Sequence, residues 1–225
     1  MRQINAAQSL TAAAYESLRE SICTGDLPPG KRLIQSELAG RLGVSRLPVH
    51  AALQQLHQEG FVTETGRRGL VVSQLDPVFL VQLFEFRAAL DRSAGRLAAR
   101  NRRPADRARG LAIIRRGRKG LADHNLLAIA GADTDFHALV YRIAGNPLIT
   151  AAAERNWHHV RRALLMLLEI TPELLVFWED HALILDAVMA GDEEQAGALC
   201  SEHSVRSGQS YAAILHRRTG MGMAS

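Results

Sequence analysis

The sequence predicts a mostly α-helical chain in two parts: a small helical domain closed by a β-hairpin, then an all-α antiparallel bundle. Three observations carry that expectation. Between Arg32 and Val72, two short amphipathic helices separated by one glycine turn lead into two β-prone runs around a glycine-rich tip. From Asp76 onward, apolar residues recur at helical spacing and nothing reads as a strand. That second part is broken only at Asn101 with Pro104, Gly120, Gly145-Asn146-Pro147, Thr171-Pro172 and Gly191-Asp192. The breaks predict helices over residues 77–101, 104–121, 123–144, 147–170, 172–190 and 192–216, and connections this short make neighbours antiparallel.

The 225 residues, 47% of them hydrophobic, are enough for two compact domains with cores of their own. Residues 72–75 are the one plausible linker. Asp76-Pro77 then restarts the chain as an N-cap followed by proline at the first helical position, placing the domains at 9–75 and 77–216. No apolar run approaches the roughly eighteen residues that span a bilayer, and the N-terminus lacks the apolar core of a signal peptide. Cys23 and Cys200 lack C-x-x-C spacing and read as reduced thiols, so the expected compartment is the cytoplasm. Net charge is +4, divided as +2 in residues 1–75 and +2 in 76–225. Affinity for nucleic acid must therefore come from where charges sit, not from their sum. Nine basic residues between Arg100 and Lys119 read as a solvated helix face.

Within the first domain, residues 10–25 form an amphipathic helix with Leu10, Ala14, Leu18 and Ile22 on one face. Pro28-Pro29-Gly30 turns the chain, and residues 31–34 are long enough for a strand beside the hairpin. Ser36 is the expected N-cap of the next helix, with Leu38, Ala39 and Leu42 as its apolar face and Gly43 as its stop. Ser45 caps a second helix whose buried stripe is Val49, Ala52, Leu53 and Leu56. That is a helix-turn-helix, whose second helix lies in the DNA major groove. The runs 61–64 and 70–72 flank Thr65-Gly66-Arg67-Arg68-Gly69, a hairpin with a basic tip that fits the wing of a winged helix. Arg46 and His50, four apart, face away from the buried stripe, where an arginine can fork onto guanine or grip phosphate. Arg67 and Arg68 would reach the backbone or minor groove. A helical hairpin with merely solvated arginines is the alternative, and the placement of the wing argues against it.

Residues 9–75 resemble the DNA-binding domain of the GntR family of bacterial transcription regulators. The matching residues are Pro29-Gly30-Lys31-Arg32-Leu33, Ser36-Glu37-Leu38-Ala39, Leu42-Gly43-Val44-Ser45-Arg46, Pro48-Val49, Ala52-Leu53, Leu56, Glu59-Gly60 and Arg68-Gly69. The resemblance implies DNA contacts from Ser36, Arg46, position 50 and the wing residues Arg67, Arg68 and Gly69. Two positions depart from the pattern. Leu47 stands where the family has a small residue, and His50 stands where it has a second arginine that commonly contacts a base.

In the second part, Asp133 and His137 are four apart and point the same way from one helix. His181 and His203 lie on the last two helices, equidistant from the turn near residue 192, so antiparallel packing brings them to one height. Three imidazoles and a carboxylate suit Zn²⁺ first, with Ni²⁺ or Mn²⁺ acceptable. With nine histidines in the chain, a chance scatter is the alternative. Residues 78–216 resemble the all-helical FCD effector domain of one GntR subfamily, through Asp133-x-x-Phe136-His137, Ala144-Gly145-Asn146-Pro147, His181, Ala187, Gly191-Asp192 and His203. The resemblance implies a divalent metal on Asp133, His137, His181 and His203, with open positions for water or a small carboxylate. It also implies that Arg87 faces the cavity as an effector contact, with Arg161 as a further candidate. An ion pair between Arg87 and Glu85 or Asp91 is the competing account.

The whole reads as a homodimeric winged-helix regulator on a two-fold related operator, responding to a small organic acid. Enzyme chemistry is a poor fit. The paired Glu-x-x-His motifs of a di-iron bundle are missing, and Asp135 is on another side of the helix from Asp133 and His137. A regulator in which the metal itself is the signal is the nearer rival.

Overall fold

The computed structural model describes residues 6–66, 69–167 and 172–221. The chain divides into two compact units, Met1–Leu75 and Asp76–Ser225.

The first unit holds α1 (Ala6–Thr24), α2 (Gln35–Leu42), α3 (Arg46–Gln58), β1 (Val62–Glu64) and β2 (Leu70–Val72). Leu18 and Ile22 of α1 meet Val49, Leu53 and Leu56 of α3 in a core that Phe61, Val62 and Val72 close from the hairpin side. Gly43, with φ of 64°, ends α2, and Val44 N–H returns to Ala39 O at 3.1 Å, which satisfies the helix's last carbonyls. One expectation fails at the other end. Ile34, not Ser36, holds the N-cap of α2, its backbone extended at φ −96° and ψ 112° with no side-chain cap bond. The helix opens two residues early, at Gln35, which leaves Ser36 inside its first turn with its side chain exposed. The N-cap geometry at Ser45 is present, without a side-chain hydrogen bond. β1 and β2 pair antiparallel, Val62 opposite Val72 and Glu64 opposite Leu70. The third strand at residues 31–34 shrinks to a single bridge, Arg32 with Val71, flanked by Gly30 N to Val72 O at 2.8 Å and Leu33 N to Leu70 O at 2.9 Å.

The second unit is helical throughout its described residues: α4 (Pro77–Asn101), α5 (Pro104–Ala122), α6 (Leu126–Ala144), α7 (Pro147–Leu167), α8 (Pro172–Ala190) and α9 (Glu193–Met221). Asp76 accepts from Val78 N at 2.9 Å and caps α4. α6 starts three residues later than its periodicity suggests. His124 adopts a left-handed φ of 53°, and Asn125 takes the cap, its side chain accepting from Ala128 N at 3.0 Å. α4 is the central helix and packs along α9, with α6, α7 and α8 also against it. The close approach of α4 and α9 depends on glycine: a Cβ on Gly95 would stand 2.6 Å from Ala196 O, and one on Gly208 would stand 2.5 Å from the Phe84 Cβ. α5 is notched in the same way, since a Cβ on Gly117 would fall 2.1 Å from the Trp178 ring. No helix among the described residues is long and apolar enough to cross a membrane.

Candidate metal centre and DNA-binding surface

α3 buries Pro48, Val49, Ala52, Leu53 and Leu56 and leaves Arg46, Leu47, His50, Ala51 and Gln54 exposed. Its outer face is therefore the one set free to enter a groove. Leu47 is 72% exposed in the first turn of the helix, an apolar side chain left in water. His50 is not free to rotate at will: its Nδ1 lies 3.1 Å from Gln35 Nε2 at the start of α2. The amide nitrogen can only donate, so Nδ1 accepts and a neutral ring carries its hydrogen on Nε2. Sequence reasoning singled out His50 and missed Gln35, whose partner lies fifteen residues away on another helix. Gly69 takes φ of 83°, and Thr65 N donates to its carbonyl at 3.0 Å, closing the tip of the hairpin. Arg67 and Arg68 lie outside the described residues.

In the second unit, α6 supplies Asp133 and His137, α8 supplies His181 and α9 supplies His203. The structure brings all four together, with one donor atom from each inside a mutual separation of 4.8 Å. Asp133 Oδ1 lies 3.8 Å from His137 Nε2 and 3.5 Å from His181 Nε2. The His181 and His203 rings stand 4.6 Å apart between centroids, and His137 and His203 stack at 5.4 Å. The three imidazoles are buried, and the Asp133 side chain is 13% exposed. Among the described residues, His137 Nε2 and both nitrogens of His181 have no hydrogen-bond partner. Buried nitrogens left unpaired are costly, and a cluster of them around a carboxylate calls for a cation.

The donor set fits a divalent ion. Two donors that each bind one ion at about 2.0–2.2 Å lie roughly 3–4.3 Å apart, so the widest pair here must draw in by about half an ångström. Burial holds the His137 imidazole well below the usual histidine range, and the charge of Arg87 and the neighbouring His181 and His203 add to this. Burial does the same to His181, with His203 and Arg87 as the lesser causes. Both rings are thus neutral and carry the lone pair a metal needs. Burial also pushes the Asp133 carboxyl upward, only partly offset by Arg87 and His203, so an ion beside it would recover the carboxylate form.

Arg87 and its surroundings complete the site. The Arg87 guanidinium is buried against Trp157, 4.7 Å from the ring centroid, and its Nε donates to Asp91 Oδ2 at 3.1 Å. Asp91 also accepts from Tyr141 OH and Ser204 Oγ, so one carboxylate on α4 gathers donors from α6 and α9. Arg87 Nη2 has no partner among the described residues. The ion pair with Asp91, the competing account of Arg87, is therefore present. Arg161 is half-buried on α7, whereas its neighbour Arg162, 2% exposed, is among the largest fully buried side chains; nothing along the chain marks which of the two turns inward. Both tryptophans of the chain flank the tetrad: Trp157 stands 5.6 Å from the His137 ring and Trp178 stands 4.7 Å from the His181 ring.

Comparison with known proteins agrees with this architecture. Residues 10–72 match the family described as bacterial regulatory proteins, gntR family, and residues 82–206 match the FCD domain. An HTH-type transcriptional regulator in an unstable DNA locus of Streptomyces ambofaciens is 33% identical over 197 residues, covering 84% of this chain and 79% of its own. A protein of Paenarthrobacter nicotinovorans described as a "Probable D-xylose utilization operon transcriptional repressor" is 32% identical, covering 81% of this chain and 80% of its own. Among solved structures, Escherichia coli McbR/YncC superposes with a TM-score of 0.76 at 24% identity, covering 96% of this chain and all of its own. The chain belongs to the GntR family of bacterial regulatory proteins, in the group that carries an FCD domain, and is a transcriptional regulator rather than an enzyme.

Proposed function

We propose that this regulator is a cytoplasmic homodimer that binds a two-fold related DNA operator and whose FCD domain holds a divalent ion and a small carboxylate. The observation that carries the sensor reading is the convergence of Asp133, His137, His181 and His203, whose buried nitrogens, like Arg87 Nη2, include several with no hydrogen-bond partner among the described residues. Those four side chains would hold the ion, zinc first, with nickel or manganese as alternatives. The bound ion would supply Lewis-acid attraction for a carboxylate oxygen, with coordination beyond four leaving room for it. Arg87 would donate a charge-assisted hydrogen bond to the same ligand. Arg161, half-buried on α7, would be a second effector contact.

Coupling follows from where these residues stand. The tetrad ties α6, α8 and α9 together, and Arg87 adds α4. A ligand that touches all four helices favours one packing of them over another, and that difference in affinity is what can shift DNA binding. Metal analysis of protein prepared without a chelating tag, followed by a thermal-shift screen of small carboxylates, tests the reading. Protein without metal, or metal-loaded protein that no carboxylate stabilises, counts against it. DNA affinity that follows metal with no organic acid present would make the ion itself the signal.

On the DNA side, Arg46, at the start of α3, is expected to contact a base or phosphate. Arg46→Ala should weaken operator binding by about 1–3 kcal/mol, measured by fluorescence anisotropy at fixed salt. Replacing Arg67 and Arg68 should weaken binding to all sequences and flatten the salt dependence. Unchanged affinity in both variants would remove α3 and the wing from the interface.

His50→Arg is expected to change the base selected at one symmetric position of the operator. The single Nε2–H of a ring held by Gln35 offers one donor, where arginine offers a fork that reaches guanine O6 and N7 together. Selection from randomised DNA reads the result. The same consensus for both proteins would show that position 50 reads no base.

A further inference from the structure

His203 differs from the other tetrad histidines in having a carboxylate behind it. Its Nδ1 lies 3.2 Å from Asp180 Oδ2, whereas neither nitrogen of His181 meets a partner among the described residues. Asp180 is 8% exposed and immediately precedes His181 on α8. Successive residues diverge by about 100° around a helix, so the two cannot point the same way. His181 turns toward Asp133, and Asp180 turns toward α9. Its second oxygen lies 3.3 Å from Arg206 Nη1, one turn beyond His203 on α9.

We propose that Asp180 is the positioning carboxylate of the metal centre, fixing which nitrogen of His203 is presented to the ion; this rests on the metal reading given above. A carboxylate oxygen accepts and cannot donate, so the bond places the imidazole hydrogen on Nδ1. Nε2 is then the nitrogen with a free lone pair. The same bond fixes the plane of the ring and makes the imidazole a stronger donor, the usual effect of a carboxylate behind a metal-bound histidine. Arg206 anchors Asp180 from the other side, so α8 and α9 are held at the height where His181 and His203 face each other. No spacing rule in the sequence marks Asp180, because its partner is on the next helix and its neighbour is itself a ligand.

Co²⁺ is the probe, added to full-length metal-free protein, with Kd from chelator competition and the visible absorption of the bound ion as a second readout. Asp180→Ala should weaken Co²⁺ binding about 10–100-fold and alter the visible spectrum. Asp180→Asn, whose amide oxygen still accepts from Nδ1–H, should fall between wild type and the alanine variant. Arg206→Ala, which removes the anchor but leaves the Asp180–His203 bond, should weaken Co²⁺ binding less than Asp180→Ala does and leave the visible spectrum unchanged. Should Asp180→Ala fail to fold, Asp180→Asn carries the test, with a several-fold rise in Kd expected and an unchanged Kd overturning the assignment. An alanine variant that binds Co²⁺ as tightly as wild type overturns it as well. So does an equal loss in the alanine and Arg206 variants with the spectrum unchanged in both, which would reduce Asp180 to an ion-pair partner. Wild-type protein that takes up no Co²⁺ overturns the metal reading and this assignment together.

Discussion

Asp91→Ala lowers the stability of the helical unit by about 3–5 kcal/mol, the loss expected when one partner of a buried ion pair is removed. The size follows from what is stranded. Arg87 and Asp91 are both buried, and removing the carboxylate leaves a guanidinium charge without its ion-pair partner, against the faces of Trp157 and Phe84. Tyr141 OH and Ser204 Oγ lose their acceptor in the same step. These donors come from α6 and α9, so the damage spreads across three helices. Asp91→Asn keeps an oxygen for some of them and should lose less. Urea unfolding followed by far-UV circular dichroism measures the change. A midpoint for Asp91→Ala that matches wild type would mean that the network contributes nothing net.

His181→Ala is the second large effect, expected to reduce divalent-metal affinity on the order of 10²-fold. Apparent binding energies of about 10–16 kcal/mol for four-ligand zinc sites imply roughly 3 kcal/mol for each ligand. His203→Ala should behave alike. Chelator treatment of wild type should remove the stabilisation that the ion gives, about 2.7 kcal/mol when free metal stands a hundredfold above Kd. For a unit of this size that is a fall of roughly 5–10 °C in melting temperature. Histidine variants that keep full metal content, or a melting point indifferent to chelator, would dissociate the tetrad from any ion.

The fold was legible wherever a local signal decides it. Gly43 ends α2 because only a left-handed residue lets the chain turn there, and Asp76-Pro77 opens α4 through a cap that two adjacent residues define. His181 and His203 could be paired because both lie eleven residues from position 192, and an antiparallel turn converts equal distance into equal height. What was not legible depends on the third dimension. Ser36 has the chemistry of an N-cap, yet the extended backbone at Ile34 takes that place. Periodicity continued α6 back to residue 123, whereas the left-handed His124 interrupts it. Asp91, Tyr141 and Ser204 belong to three helices, and no pattern along the chain announces that they share one carboxylate. Arg161 and Arg162 are chemically identical, and only the rotation of α7 decides which is buried.

Glycine at position 117 of α5 admits the indole of Trp178 to a place where any side chain would collide with it. That indole rests edge-on against His181, and the only other indole of the chain rests near His137. All of the protein's tryptophan emission therefore originates at one place, and the DNA-binding unit contributes none. Because each indole stands beside a tetrad histidine, ion uptake there is expected to change the emission without a label. The first unit, by contrast, has no indole of its own, so a fluorescence titration reads the helical unit alone.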